Sequence, residues 1–237
     1  MNLLERMKPY SKCGAWAIWE SNREDGHFIA PNDMVEDTDF SKFIDELQPN
    51  NYVILGMNPG GVLDPEAAKT ATRLSNNVER PWNNFHNIGK SNDHGFAEAL
   101  NNSILRGSYM TDFFPIPGSS SDGVIKFVTQ KENAKLVERL VKELDEELHK
   151  LLPDQEEIIL ICIGSTSKAW TNKYLIEPST RIKGLKNTYK VIGLPHYSNA
   201  NRRTIKNLSE KYSVENNYAS VVNHILQLEL YMEKTKS

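Results

Sequence analysis

Apolar positions follow two periods along this chain. Four short runs are almost wholly apolar or β-forming: 52–55 (YVIL), 108–114 (SYMTDFF), 157–163 (EIILICI) and 189–194 (YKVIGL). Each is bounded by turn residues, which predicts buried strands. Between them the spacing becomes that of one helical face. Phe96, Leu100 and Ile104 share such a face in 95–105, as do Leu136, Leu140, Leu144, Leu148 and Leu151 in 131–152. Val221, Val222, Ile225, Leu226 and Leu230 do so in 215–231, and a further helix is expected from Lys168. The leucine stripe reads as core packing, with Pro153 closing the helix behind it. Strands alternating with helices predict an α/β fold, a central, mainly parallel four-stranded sheet with helices on both faces. Ahead of the first strand, 15–19 (AWAIW) has the character of a short strand. Phe40, Phe43, Ile44 and Leu47 have helical spacing behind a Thr38 or Asp39 cap. Trp16 and Trp19 read as packing residues.

A length of 237 residues allows one sizeable core. We read a single domain, with an amino-terminal extension over 1–49, a core over 50–203 and a carboxy-terminal helical segment over 204–237. The net charge of -3 does not announce a nucleic-acid partner, so any phosphate contact must come from a local basic surface. Such a stretch exists: Arg181, Lys183, Lys186, Lys190, Arg202, Arg203 and Lys206 fall within 181–206 without one Asp or Glu. An ordinary solvated face has the same composition. Cys13 and Cys162 are too few for an iron-sulfur cluster or a disulfide framework. The opening residues, MNLLERMKPYSK, are too charged for a secretory signal, and no apolar run reaches eighteen residues. The expectation is a soluble, cytoplasmic, monomeric protein without a membrane partner.

Residues suited to chemistry gather where the expected strands end. The run 52–61 (YVILGMNPGG) passes into a turn of Gly56, Pro59, Gly60 and Gly61, with Asn58 at its mouth. In open α/β sheets, ligands bind outside the carboxyl ends of the strands. The stretch 62–93 is polar, rich in Asn and broken by Pro65 and Pro81; a loop of that length is usually functional or mobile. The serines 119–121 offer hydroxyls to a phosphate, or are simply loop composition. The turn 164–167 (GSTS) offers amides and Ser165 to an anion, helix capping being the simpler alternative.

Two of these loops carry a resemblance. GMNPG at 56–60 resembles the first motif of the single-strand-selective and mismatch-specific branches of the uracil-DNA glycosylase superfamily. HYSNANR at 196–202 is similar to their second motif in its polar first residue, its Ser at the third position and its closing Arg. YMTDFFP at 109–115 stands where that family has its base-recognition strand, and IGSTSKAW at 163–170 resembles its glycine turn and following helix. The resemblance covers roughly 52–203. It implies a three-layer α/β/α domain that hydrolyses the N-glycosidic bond of a damaged or deaminated DNA base, uracil or a related one, in base-excision repair. It also implies that no metal or cofactor is needed. The implied catalytic residues are Asn58 and His196. Gly56, Met57, Phe85 and Asp112 would bind the base, with Trp82 a nearby alternative to Phe85. Ser198, Asn201, Arg202, Arg203 and Ser165 would bind DNA phosphates.

The residue types suit that chemistry. Glycosidic hydrolysis passes through an oxocarbenium-like state, with negative charge gathering on the departing base. An amide such as Asn58 does not titrate near neutral pH, so it would orient water and turn a carbonyl dipole toward the sugar. His196 would donate a hydrogen bond to the base oxygen as charge builds there. A base in duplex DNA must first leave the stack, which calls for an aromatic wall and a grip on flanking phosphates.

Three departures stand out. Asp112 occupies a position where many relatives have Asn; an ionised carboxylate would accept the N–H of uracil but oppose its carbonyl, which points away from uracil. Tyr197 stands where Pro commonly follows the first residue of the second motif. Asn199-Ala200-Asn201 lacks a large apolar wedge, which favours single-stranded or distorted DNA as substrate. Two other functions remain open from the residues: a noncatalytic nucleic-acid-binding protein of the same fold, and a nucleoside or nucleotide hydrolase.

Overall fold

The computed structural model describes residues 2–21, 28–29, 43–74, 82, 84–86, 93–118 and 121–234. Strand β1 (Gly14–Trp16) is followed by a two-stranded ribbon of β2 (Glu20–Ser21) and β3 (Phe28–Ile29). The four apolar runs become β4 (Tyr52–Gly56), β5 (Tyr109–Asp112), β6 (Glu157–Ile163) and β7 (Thr188–Leu194). These four are parallel, in the spatial order β5-β4-β6-β7. The sheet has five strands rather than the four expected, because β1 adds antiparallel to the free edge of β5 with Gly14 opposite Thr111. The run AWAIW is therefore a strand only at its start. Its next residue continues the join, with the Gly107 N–H donating to the Ala17 carbonyl at 2.9 Å.

The helices are α1 (Leu3–Met7), α2 (Pro65–Thr70), α3 (Asp93–Asn101), α4 (Ser121–Thr129), α5 (Ala134–Leu151), α6 (Ser165–Thr171), α7 (Arg202–Tyr212) and α8 (Tyr218–Lys234). Successive side chains of a strand point to opposite faces, so an aliphatic strand needs cover on both. Val53, Leu55, Leu160 and Cys162 pack on one face with Leu140, Leu144 and Leu148 of α5, Val124 of α4 and Trp170 of α6. Ile54, Ile159, Ile161 and Ile192 pack on the other with Phe96 and Leu100 of α3 and Val221, Val222 and Leu226 of α8. Helices thus cover both faces of the sheet. Trp16 and Trp19 are fully buried, as packing residues.

Several elements differ from the sequence expectation. Residues 43–46 form a turn, although Phe43 and Leu47 are buried; Phe40, Thr38 and Asp39 lie outside the described residues. Helix α3 ends at Asn101, which leaves Ile104 half exposed instead of facing inward. Helix α6 starts at Ser165, three residues before Lys168. Ser121 opens α4 rather than ending a serine loop, and Ser119 and Ser120 lie outside the described residues. The stretch 65–70, read as loop, is helical, and α7 opens the expected carboxy-terminal helical segment two residues ahead of 204. Asp64 caps α2 through the Glu66 and Ala67 amides, with Pro65 at its first position, and Ile205, Leu208 and Tyr212 give α7 an apolar face. Among the described residues, no helix is long and apolar enough to cross a membrane.

Candidate active site

The connection from β4 goes to β5 on one side, and the chain then crosses to β6 on the other. The carboxyl ends of β4 and β6 therefore form the switch point where an open sheet leaves a crevice. A cavity of about 1080 Å³ lies there. Gly56, Met57, Asn58, Phe85, Asp112, Ser165, His196 and Asn201 all line it, so eight of the eleven sequence-predicted site residues come together. The other three, Ser198, Arg202 and Arg203, line an adjoining cavity of about 460 Å³ with Lys206, and Tyr197 borders both.

The loop after β4 is fixed by the loop after β5. The Phe113 N–H donates to the Gly56 carbonyl at 3.0 Å, Phe114 N–H to Met57 at 3.1 Å and Gly118 N–H to Pro59 at 3.1 Å. From α6, the buried Ser167 hydroxyl donates to the Leu55 carbonyl at 2.8 Å. Asn58 is half-buried, and its Nδ2 donates to the Pro59 carbonyl at 2.9 Å. That bond sets the amide plane and leaves Oδ1 as the acceptor offered to a water.

Gly56 needs to be glycine. A Cβ there would overlap Asp112 Oδ1 and lie 2.9 Å from Phe85 Cζ. The missing side chain is what brings the Phe85 ring and the Asp112 carboxyl against the end of β4. Phe85 is half-buried and adopts φ 65, a left-handed conformation uncommon for a large side chain. Trp82, the other aromatic of that segment, is 1% exposed and belongs to the core, which leaves Phe85 as the ring on the cavity.

Asp112 is buried at the end of β5, and its Oδ2 accepts Asn84 Nδ2 at 3.0 Å. Burial raises its carboxyl from 3.8 to about 7, against the lowering effects of the Asn84 hydrogen bond and of Arg73. Arg73 forms a buried ion pair with Glu147 on α5, and Tyr109 Oη also donates to Glu147 at 3.0 Å.

His196 leaves the end of β7 and packs against Gly164, whose φ of 87 permits the turn into α6. The Ser198 N–H donates to His196 Nδ1 at 3.0 Å, so in the neutral ring the proton resides on Nε2. Burial lowers the His196 pKa below 6.5, favouring that neutral form. Tyr197 has a packing role. Its ring stacks on His196 at 4.6 Å and on Phe96 at 4.6 Å, and Tyr218 Oη ties the Pro195 carbonyl at 2.9 Å.

The phosphate-binding candidates are less enclosed. Asn201 Nδ2 donates to Ser198 Oγ at 3.0 Å, ordering the start of α7, while Ser165, Arg202 and Arg203 are exposed. The acid-free basic stretch does not survive as one surface, because Lys186 pairs with Glu146 and Lys190 with Glu157, on other elements. Sequence reading missed Asn84, Ser167 and Lys168. Lys168 lines the cavity with its side chain lying along Gly193. Among the described residues, no three His, Cys, Asp or Glu side chains converge to hold a metal. No protein-family model matches this chain, and no curated protein matches it significantly.

Proposed function

We propose that this protein is a monofunctional DNA base glycosylase that hydrolyses the N-glycosidic bond of a damaged or deaminated base. The observation that carries this is the meeting, on one switch-point cavity, of an orienting amide, a neutral imidazole donor, an aromatic ring and a carboxyl. Asn58 Oδ1 orients the water for attack at the sugar carbon, and its dipole favours the positive charge developing there. The glycosidic electron pair leaves with the base as its anion, and the proton given up by the attacking water passes to that base or to solvent. His196 donates from Nε2 to the base oxygen that takes up this charge, and stays neutral in doing so. Phe85 stacks on the extruded base, and Asp112 contacts its edge. Ser198, Arg202 and Arg203 hold flanking phosphates without reading sequence.

The test is base release from single-stranded and duplex oligonucleotides carrying uracil, hypoxanthine or xanthine, scored as alkali-labile strand cleavage. Asn58→Ala should abolish release while retaining DNA binding and the folded state. Loss of a donor at His196 should lower the rate about a hundredfold, the cost of roughly 3 kcal/mol typical of such a group. Absence of release from every substrate, with salt-sensitive binding retained, would favour a noncatalytic nucleic-acid-binding role. Turnover of free nucleosides with a shallow salt dependence would favour a nucleoside hydrolase.

A further inference from the structure

Asp112 holds a buried carboxyl without a cation in contact among the described residues. Asn84 spends one N–H on Asp112 Oδ2 at 3.0 Å and the other on the Cys13 carbonyl at 2.9 Å. Two fixed acceptors give the Asn84 amide one orientation, so Oδ2 is always met by a donor. Oδ1 takes no hydrogen bond from a described residue and lies over Gly56 on the cavity. One oxygen is thus anchored and the other is offered to a ligand. A proton on this carboxyl must sit on Oδ1, since Oδ2 already faces an N–H.

The charged and titratable neighbours leave that proton in balance. Arg73 favours the ionised form but is committed to Glu147 on α5, which opposes ionisation. Cys13, ahead of β1, is buried with its thiol pushed well up, so it stays neutral. His196, held neutral by burial, Lys168 and Glu229 line the same cavity. Burial is the largest influence on Asp112, and it favours the protonated group.

We propose that Asp112 determines which base is excised by donating, in its neutral form, a hydrogen bond from Oδ1 to a carbonyl of the extruded base. This rests on the glycosylase reading above. The substrates are then lactam bases such as uracil, hypoxanthine and xanthine, in which deamination has replaced an amino group by a carbonyl. The parent amino group, itself a donor, meets the Asp112 hydroxyl donor to donor and is rejected. Ionised Asp112 reverses the preference. Uracil, disfavoured by a permanent carboxylate, becomes a substrate once the carboxyl carries its proton.

The experiment is uracil release from a single-stranded oligonucleotide between pH 5.5 and 9, comparing the native protein with Asp112→Asn. In the variant the Asn84 clamp takes the amide oxygen and turns the NH2 to the cavity, a donor at every pH. Native activity should fall about tenfold per pH unit above 7, while the variant stays level and exceeds it roughly a hundredfold at pH 9. Native activity that stays level to pH 9, or two profiles that fall in parallel, would overturn the proposal. Absence of release by either protein at any pH would remove the glycosylase reading. Calorimetric binding of free uracil then decides the Asp112 role separately. Binding at pH 6 that is lost at pH 8.5 in the native protein alone supports it, and pH-independent or absent binding overturns it.

Discussion

At the scale of the residue, the site depends on what Gly56 lacks. Alanine there would push Phe85 and Asp112 away from the end of β4, an overpacking that should cost about 1–3 kcal/mol in urea unfolding. Base release should fall more than stability does, because both displaced groups line the cavity. Two buried titrating groups also leave opposite marks on stability. His86 donates from Nε2 to the Trp16 carbonyl at 3.1 Å, and burial lowers its pKa to about 4. The unfolded chain binds its proton first, so the stability it confers is lost as pH falls from 6.5 to 4. Asp112 does the reverse: its raised carboxyl confers stability at low pH that is lost as pH rises from 3.8 to about 7. Asp112→Asn should therefore match the native protein near pH 4 and exceed it at pH 8, by up to roughly 4 kcal/mol. Thermal unfolding across that range checks the sign. The sequence displayed Asn58, His196 and Asp112 at strand ends, so their meeting was legible from the strands alone. Asn84 was not, since nothing in 81–87 (PWNNFHN) distinguishes the Asn that turns inward from its neighbours.

Elements explain why those groups keep their places. Each loop of the cavity is tied to a neighbour by main-chain or buried side-chain bonds, as Ser167 ties α6 to β4. Behind β5, the ion pair of Arg73 and Glu147 joins the segment after α2 to α5, with Tyr109 and Thr111 bonded to the same pair. Removing one partner strands a buried charge, so Glu147→Gln should cost about 3–5 kcal/mol in denaturant unfolding. Replacing both partners by apolar residues should cost much less. Local periodicity announced the strands and the long helix, because each is defined by its own residues. It could not announce the pair, because Arg73 and Glu147 are remote in the chain. The missed helix α2 was different, because Asp64-Pro65 is a local start signal.

Over the whole molecule, the question is where a slightly acidic protein finds cations for phosphate. The sequence groups seven basic residues, but folding pairs Lys186, Lys190 and Lys206 with glutamates and leaves Arg202 and Arg203 exposed beside one cavity. Glutamine at both Arg202 and Arg203 should reduce the salt dependence of single-strand binding, lowering the slope of log affinity against log salt by roughly 1.4. Glutamine at Lys186 and Lys190 should leave the slope unchanged. Fluorescence anisotropy over a salt series distinguishes the two pairs.

The antiparallel edge formed by β1 has a consequence for how the chain is made. During synthesis β1 emerges first among the five strands, yet its partner β5 is complete only at Asp112. At about 5–20 residues per second, Trp16 and its neighbours wait several seconds on the ribosome with their apolar surface uncovered. Nascent chains halted before residue 109 should therefore recruit chaperones through their first segment, and those halted well beyond residue 112 should release them.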